Sequence, residues 1–308
     1  MRLVFLGTPD FACPPLEAII KSKHEVLAVV TQPDKPVGRK AIITPCAVKV
    51  LAESKGLKTL SYNKIRVEGV SDLKALNPDI MVTCAYGQIL SREILDIAKH
   101  GIINIHASLL PKYRGAAPIQ WSIINGDEVT GVTIMQTEEG VDTGDIIYAK
   151  ELKINKTETA GELFDRLSLL GAEMIVKVLD DIEEGKVTFI KQDESKATKV
   201  AMIKKEDGKI DFSKSSESIV NLIRGLNPWP IAFTKYEGKT LKIFSSEVSE
   251  YKGNAGEVLV SDINNGLIIG TSDKSIKINE LQLEGGKRML VKEFLLGRKI
   301  PVGYKFGE

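Results

Sequence analysis

A chain of 308 residues with 43% hydrophobic content is long enough to bury the cores of two ordinary domains. Its 42 Lys and Arg offset 41 Asp and Glu, so net charge points neither toward nor away from an anionic partner, and any nucleic-acid surface has to be local. Three scattered cysteines without C-x-x-C spacing (Cys13, Cys46 and Cys84), no stretch of membrane-span length, and an apolar start that meets Gly7 and Pro9 too soon for a signal peptide exclude a disulfide framework, a cysteine metal site and a membrane or secreted role, leaving a cytoplasmic protein.

Apolar runs of strand length alternate with helix-period segments through about the first 150 residues, the pattern of a parallel sheet covered by helices. Strands are expected over residues 3–6, 26–31, 80–84, 102–106 and 132–136, and helices over 16–21, 47–55, 70–76 and 119–125. The unbroken run Ile80-Met81-Val82 suits a strand buried on both faces. In such sheets ligands bind beyond the carboxyl ends of the strands, so residues just after each strand are the first candidates for chemistry. Gly7-Thr8-Pro9-Asp10 lacks the G-x-G-x-x-G spacing that seats a dinucleotide, which argues against a dehydrogenase. The stretch 32–45 is long for a strand-to-helix connection and carries Lys35, Arg39 and Lys40.

Farther along, Thr159-Ala160-Gly161-Glu162 is a capping box that opens an amphipathic helix toward Glu184. Residues 191–208 are rich in Lys, Asp, Glu and Ser and read as an exposed connector, with the domain boundary near residue 205. A short helix over 217–224 stops at Gly225 and Pro228, after which short strands alternate with turns such as Glu237-Gly238 and Asn265-Gly266. Ile276 and Ile278, then Leu281 and Leu283, alternate in two phases offset by one residue, as a bulge in a curved strand would produce. The expected architecture is α/β with a mostly parallel sheet over 1–190, a linker over 191–205, and a small β-barrel or sandwich over 206–308.

Asn104 and His106 stand two residues apart at the end of a predicted strand, so period-two geometry points both side chains to one side. An amide and an imidazole there can donate hydrogen bonds to an oxygen that gains charge; a buried polar pair tying down the next loop would look the same in sequence. The acidic loop Glu138-Glu139-Gly140-Val141-Asp142-Thr143-Gly144-Asp145 is held between glycines and can press its main chain on a flat ligand while presenting a carboxylate, or be a solvated turn. Together they offer donors, a base and no nucleophile, which suits direct group transfer better than a covalent intermediate.

Gly7-Thr8-Pro9-Asp10-Phe11-Ala12, Ala85-Tyr86-Gly87-Gln88-Ile89-Leu90, Asn104-Ile105-His106, Ser108-Leu109-Leu110-Pro111-Lys112-Tyr113-Arg114-Gly115-Ala116-Ala117-Pro118 and Asp142-Thr143-Gly144-Asp145 closely resemble the methionyl-tRNA formyltransferase family. Lys205-Glu206-Asp207-Gly208-Lys209-Ile210-Asp211 and Asn227-Pro228-Trp229-Pro230 resemble its second-domain signatures, so the likeness runs over the whole chain.

The resemblance implies a Rossmann-like catalytic domain and a C-terminal, tRNA-binding barrel of the OB type. It implies a formyl group moved from 10-formyltetrahydrofolate, a co-substrate, to initiator methionyl-tRNA by a monomer with no metal. Asn104, His106 and Asp142 would be catalytic. Tyr86, Gly87, Gln88, Ile89, Leu90, Ser108, Leu109, Leu110, Pro111, Glu139, Gly140 and Val141 would line the folate site, and Arg39, Lys40 and Arg114 would meet tRNA. Ala41-Ile42-Ile43 replaces the glycine and lysines usual in that family's tRNA loop, and Phe212 stands where tryptophan is common. Sibling formyltransferases that act on small amines share the Asn-x-His and Asp but usually lack the later motifs; a non-catalytic RNA-binding protein is the reading from a different class.

Overall fold

The run Leu3-Val4-Phe5-Leu6, apolar and wholly buried, forms the centre of β1 (Arg2–Gly7) in a computed structural model that describes residues 1–38 and 40–307. There follow α1 (Cys13–Ile20), β2 (Glu25–Thr31), β3 (Lys35–Val37), β4 (Ile42–Thr44), α2 (Ala47–Ser54), β5 (Thr59–Ser61), α3 (Ile65–Glu68), α4 (Val70–Leu76), β6 (Ile80–Cys84), α5 (Arg92–Leu95) and β7 (Ile102–His106). The middle of the chain adds β8 (Arg114–Gly115), α6 (Pro118–Ile124), β9 (Val129–Gln136), β10 (Ile146–Lys153) and α7 (Ala160–Glu183). After β11 (Lys199–Val200) come α8 (Ser216–Gly225), β12 (Ala232–Tyr236), β13 (Lys239–Ser249), β14 (Val258–Asp262), β15 (Gly266–Gly270), β16 (Ser275–Leu283), β17 (Met289–Leu290) and α9 (Val291–Gly297).

Two compact units result, and the division is not a single cut. Met1–Gly115, Val129–Lys153 and Phe164–Val200 make the first; Ala116–Glu128, Ile154–Leu163 and the chain from Ala201 onward make the second. In the first, seven strands lie in the order β10-β9-β7-β6-β1-β2-β5. From β7 to β5 every neighbour is parallel; β9 and β10 run antiparallel at the other edge. Val4, Leu6, Val30 and Met81 bury one face of the sheet with Leu73, Ile94 and Ile102. The capping box holds: Thr159 N–H donates to Glu162 at 2.8 Å and Glu162 N–H to Thr159 Oγ1 at 3.3 Å.

Three elements differ from expectation. Residues 32–45 are not a plain loop but carry the β3–β4 hairpin, with Lys35 opposite Thr44 and Pro36 opposite Ile43. Ile42 and Ile43, which broke the charge pattern, are β-branched like Thr44 and are good strand formers. β10 is not among the expected strands although Ile146-Ile147-Tyr148 are good strand formers; it is an edge strand, half-exposed along its length and paired with β9. Helix α6, expected inside the first domain, packs on α8 in the second unit.

The second unit is an antiparallel sheet in the order β12-β13-β16-β15-β14, with β17 against β16. Its core gathers Ile219 and Ile223 of α8, Leu241 and Ile243, Ile276, Ile278 and Leu281, and Phe294 of α9. The two-phase alternation of β16 is a real irregularity: its register with β13 slips between Ile243 and Ser246, so Ile276 and Ile278, then Leu281 and Leu283, all face inward. Phe212 is 4% exposed and stacks on Phe306, so the aromatic exchange is a packing matter. Among the described residues no helix is long and apolar enough to cross a membrane.

Candidate active site

β6 and β7 are parallel neighbours, with Thr83 opposite Asn104 and Cys84 opposite Ile105, so both end at the same edge of the sheet. Strand alternation puts Asn104 and His106 on one side there. Thr83 Oγ1 donates to Asn104 Oδ1 at 2.8 Å. With its oxygen occupied, the amide turns its NH2 away from Thr83 as a donor for an incoming oxygen. Thr83 belongs to none of the sequence motifs; only its place opposite Asn104 gives it a role, and no sequence signal marks that.

His106 is buried, and its Nε2 lies 3.0 Å from the carbonyl oxygen of Tyr113. A carbonyl can only accept, so this contact assigns the ring proton to Nε2. Nδ1 faces Asp142 Oδ2 at 3.6 Å, just beyond ordinary hydrogen-bond length. The same oxygen accepts the N–H of Gly115 at 2.8 Å. Amide, imidazole and carboxylate thus gather at the end of β7. The imidazole, expected to offer its donor to an oxyanion, has that donor on Tyr113 instead, because the loop after β7 folds back over the strand end.

The expected folate residues sort into scaffold and surface. Tyr86 (4% exposed) and Leu90 belong to the core of the first unit, and the Tyr86 hydroxyl is buried without a hydrogen-bond partner among the described residues; burial pushes its pKa up and keeps it neutral. The carbonyls of Tyr86 and Gly87 accept from Gln32 Nε2 at 3.1 and 3.0 Å. Gln88 spends its amide on the backbone of Ile65 and Tyr62 at 2.9 and 2.8 Å, so its side chain pins the loop. Ser108 is fully buried with its hydroxyl on the Lys112 carbonyl, and Leu110 is buried too; their side chains shape the loop from beneath. Leu109 and Pro111 are half-buried, whereas Ile89, Glu139, Gly140 and Val141 are exposed. The loop carrying Asp142 is seated by a close approach: a Cβ on Gly144 would lie 1.9 Å from the Gln136 carbonyl oxygen, which no side chain survives.

The connector also departs from a passive linker. Lys199 and Val200 pair in parallel with Arg114 and Gly115, and Thr198 Oγ1 accepts the N–H of Tyr113 at 2.8 Å. Arg114, expected to meet tRNA, is instead 2% exposed, with its guanidinium on Gln192 and in a bidentate pair with Glu194 at 2.7 and 2.9 Å. A guanidinium closed in this way has no edge left for a phosphate, so that expectation is corrected. Arg39 lies outside the described residues; Lys40 is exposed. In the second unit Lys287, Lys292, Arg298 and Lys299 are exposed, while Arg288 is held by Glu280 at 2.7 Å and over the Phe244 ring. The one histidine–carboxylate group with ligand-like spacing among the described residues, His24, Asp180 and Glu183, already holds the Lys23 ammonium at 2.9 and 3.1 Å.

Two family models match the chain: formyl transferase over residues 1–179, and the formyl transferase C-terminal domain over 202–299. The methionyl-tRNA formyltransferase of Geobacter metallireducens is 46% identical over 308 residues, spanning 100% of this chain and 99% of that protein. That of Lachnospira eligens is 46% identical over 318 residues and 100% of both chains. The N-formyltransferase from Helicobacter canadensis, solved in complex with folinic acid and dTDP-3-aminofucose, superposes with a TM-score of 0.69 at 22% identity, covering 90% of this chain and 98% of that one. At that identity the likeness is one of fold.

Proposed function

The chain belongs to the methionyl-tRNA formyltransferase family, and from that membership we propose how its residues share the work of moving a formyl group from 10-formyltetrahydrofolate to the amine of methionyl-tRNA. The observation that carries the reading is the meeting of Asn104, His106 and Asp142 at the end of β7, with Asp142 Oδ2 3.6 Å from the His106 ring.

The uncharged α-amine of the esterified methionine attacks the formyl carbon. An α-amine titrates at roughly pH 7.7–8, so no strong base is needed to make it a nucleophile. A C–N bond forms, the formyl oxygen takes up the charge, and the Asn104 NH2, aimed by Thr83, donates to it. His106 exchanges the Tyr113 carbonyl for that oxyanion, and Asp142, 3.6 Å from Nδ1, holds the ring in place. Asp142 then takes the proton shed by the attacking nitrogen and relays it to the folate nitrogen as the old C–N bond breaks. No group on the enzyme is acylated.

Folate lies between the exposed faces of Ile89 and of Glu139, Gly140 and Val141, with Tyr86, Gly87, Gln88, Leu90, Ser108, Leu109, Leu110 and Pro111 forming the walls and floor behind them. Residues 1–190 carry the chemistry, 191–205 connect, and 206–308 hold tRNA, with Arg39 and Lys40 of the first domain as further tRNA-binding residues. The preferred acceptor is the initiator tRNA, and the enzyme works as a monomer in the cytoplasm, where charged tRNA and reduced folate meet.

Mixing the protein with 10-formyltetrahydrofolate and methionyl-tRNA should add one formyl mass to the esterified methionine. Formylation of amino sugars or glycinamide ribonucleotide with charged tRNA inert would transfer the chain to the sibling reading. Binding of tRNA with no transfer, unaltered by His106→Ala, would make it an RNA-binding protein only.

A further inference from the structure

We propose that Gln192 is a positioning residue for the catalytic carboxylate: it sets the backbone of the Asp142 loop, and Arg114 and Glu194 hold Gln192 to that task. The inference rests on reading Asp142 as catalytic, and deepens that reading by placing part of the machinery in the connector.

Every polar atom of the Gln192 side chain is engaged. Its Nε2 donates to the carbonyl oxygens of Asp142 at 2.9 Å and Gly144 at 2.7 Å. Its Oε1 accepts from Arg114 Nε at 3.0 Å and Nη2 at 2.8 Å. The guanidinium can only donate, so it dictates that the amide oxygen faces Arg114 and the NH2 faces the loop. Arg114 is oriented in turn by Glu194 through the bidentate pair, with the arginine side chain 2% exposed. The chain of command therefore runs from Glu194 through Arg114 and Gln192 to the peptide of Asp142.

That peptide needs holding. Asp142 has φ +54°, in the left-handed region that non-glycine residues occupy only where their surroundings over-determine it. Gln192 brackets Thr143 by gripping the carbonyls on either side, which keeps Asp142 in that conformation. Its carboxylate then lies 2.8 Å from the Gly115 N–H and 3.6 Å from His106 Nδ1. Once the grip is released, the peptide can relax toward ordinary φ and carry the carboxylate away from both. A shift of about an ångström at a reacting centre costs on the order of 100-fold in rate.

The test combines two substitutions at Gln192 with one at Asp142. Gln192→Ala removes the amide. Gln192→Glu keeps an acceptor for Arg114, so the buried guanidinium is not orphaned, but turns an oxygen toward both loop carbonyls; it serves even if the alanine variant folds poorly. Both should lower kcat at least about tenfold, with KM for folate and methionyl-tRNA within about twofold and little change in thermal midpoint. Because Gln192 acts through Asp142, adding Gln192→Ala to Asp142→Asn should cost nothing further in single-turnover rate. A wild-type kcat in both Gln192 variants, an effect confined to KM, or losses that multiply in the double variant would overturn the proposal. Asp142→Asn alone at the wild-type rate would instead sink the catalytic reading of Asp142.

Discussion

Asn104 is useful only if its amide points the right way round, and one hydroxyl decides that. Thr83→Val keeps the shape of the side chain and removes the donor that holds Asn104 Oδ1. A hydrogen bond of this kind contributes about 1 kcal/mol, so kcat should fall roughly three- to tenfold with the fold intact; an unchanged kcat would mean that the amide is oriented by something else. Asn104→Ala, which removes the proposed oxyanion donor, should cost on the order of 100-fold or more in kcat, and His106→Ala should abolish transfer in the formylation assay. The residue types of this trio were legible in the sequence, and so was the shared side of Asn104 and His106, because period two follows from strand geometry alone. Thr83 was not, since its role depends on which strand lies next to β7.

At the scale of elements, the loop between β9 and β10 is built on close backbone approach. Gly144→Ala sets a methyl against the Gln136 carbonyl oxygen at 1.9 Å, so the loop must move or the chain must lose stability. The expected result is a loss of roughly 2–4 kcal/mol in denaturant unfolding, with transfer activity falling too; a variant of wild-type stability would show that the loop has slack. The segment joining β11 to α7 carries a pH signature. Arg114 holds the Glu194 carboxyl below its ordinary value of 4.5, so the pair's contribution is complete above that pH and disappears as pH falls through the lowered value. Glu194→Gln should therefore unfold earlier than wild type at neutral pH, with the gap between their midpoints closing below pH 4.5. A constant gap across that window would mean the carboxylate charge is not what matters. Composition made this segment look like a solvated tether, because its charged residues do face water; its inward contacts come from Gln192 and Thr198, which composition cannot single out.

For the molecule as a whole, the interleaving of the two units makes truncation a sharp test. A chain ending at residue 200 would leave Ile119 and Ile123 of α6 without α8, against which α6 packs in the second unit. Such a fragment should aggregate, as light scattering would show; a soluble, folded fragment with two-state unfolding would mean that α6 finds another partner. The consequence for function is that loss of activity on cutting off the second domain does not by itself demonstrate a tRNA contact. Substituting Lys287, Lys292, Arg298 and Lys299 in the intact chain is the cleaner probe, and it should weaken tRNA binding in a salt-dependent way while sparing the fold.

The sequence alone determined the alternation of buried strands and helices and the bulged β16, since each is written in local spacing, and its motifs along the whole chain carried the resemblance to the family. Tertiary structure alone decided that Arg114 faces inward to Glu194 rather than outward to tRNA, that Gln192 holds the Asp142 loop, and that α6 sides with the second unit. The physical reason is the same each time: a hydrogen bond or packed face between residues tens of positions apart depends on where the chain returns, and no local pattern of polarity encodes that return.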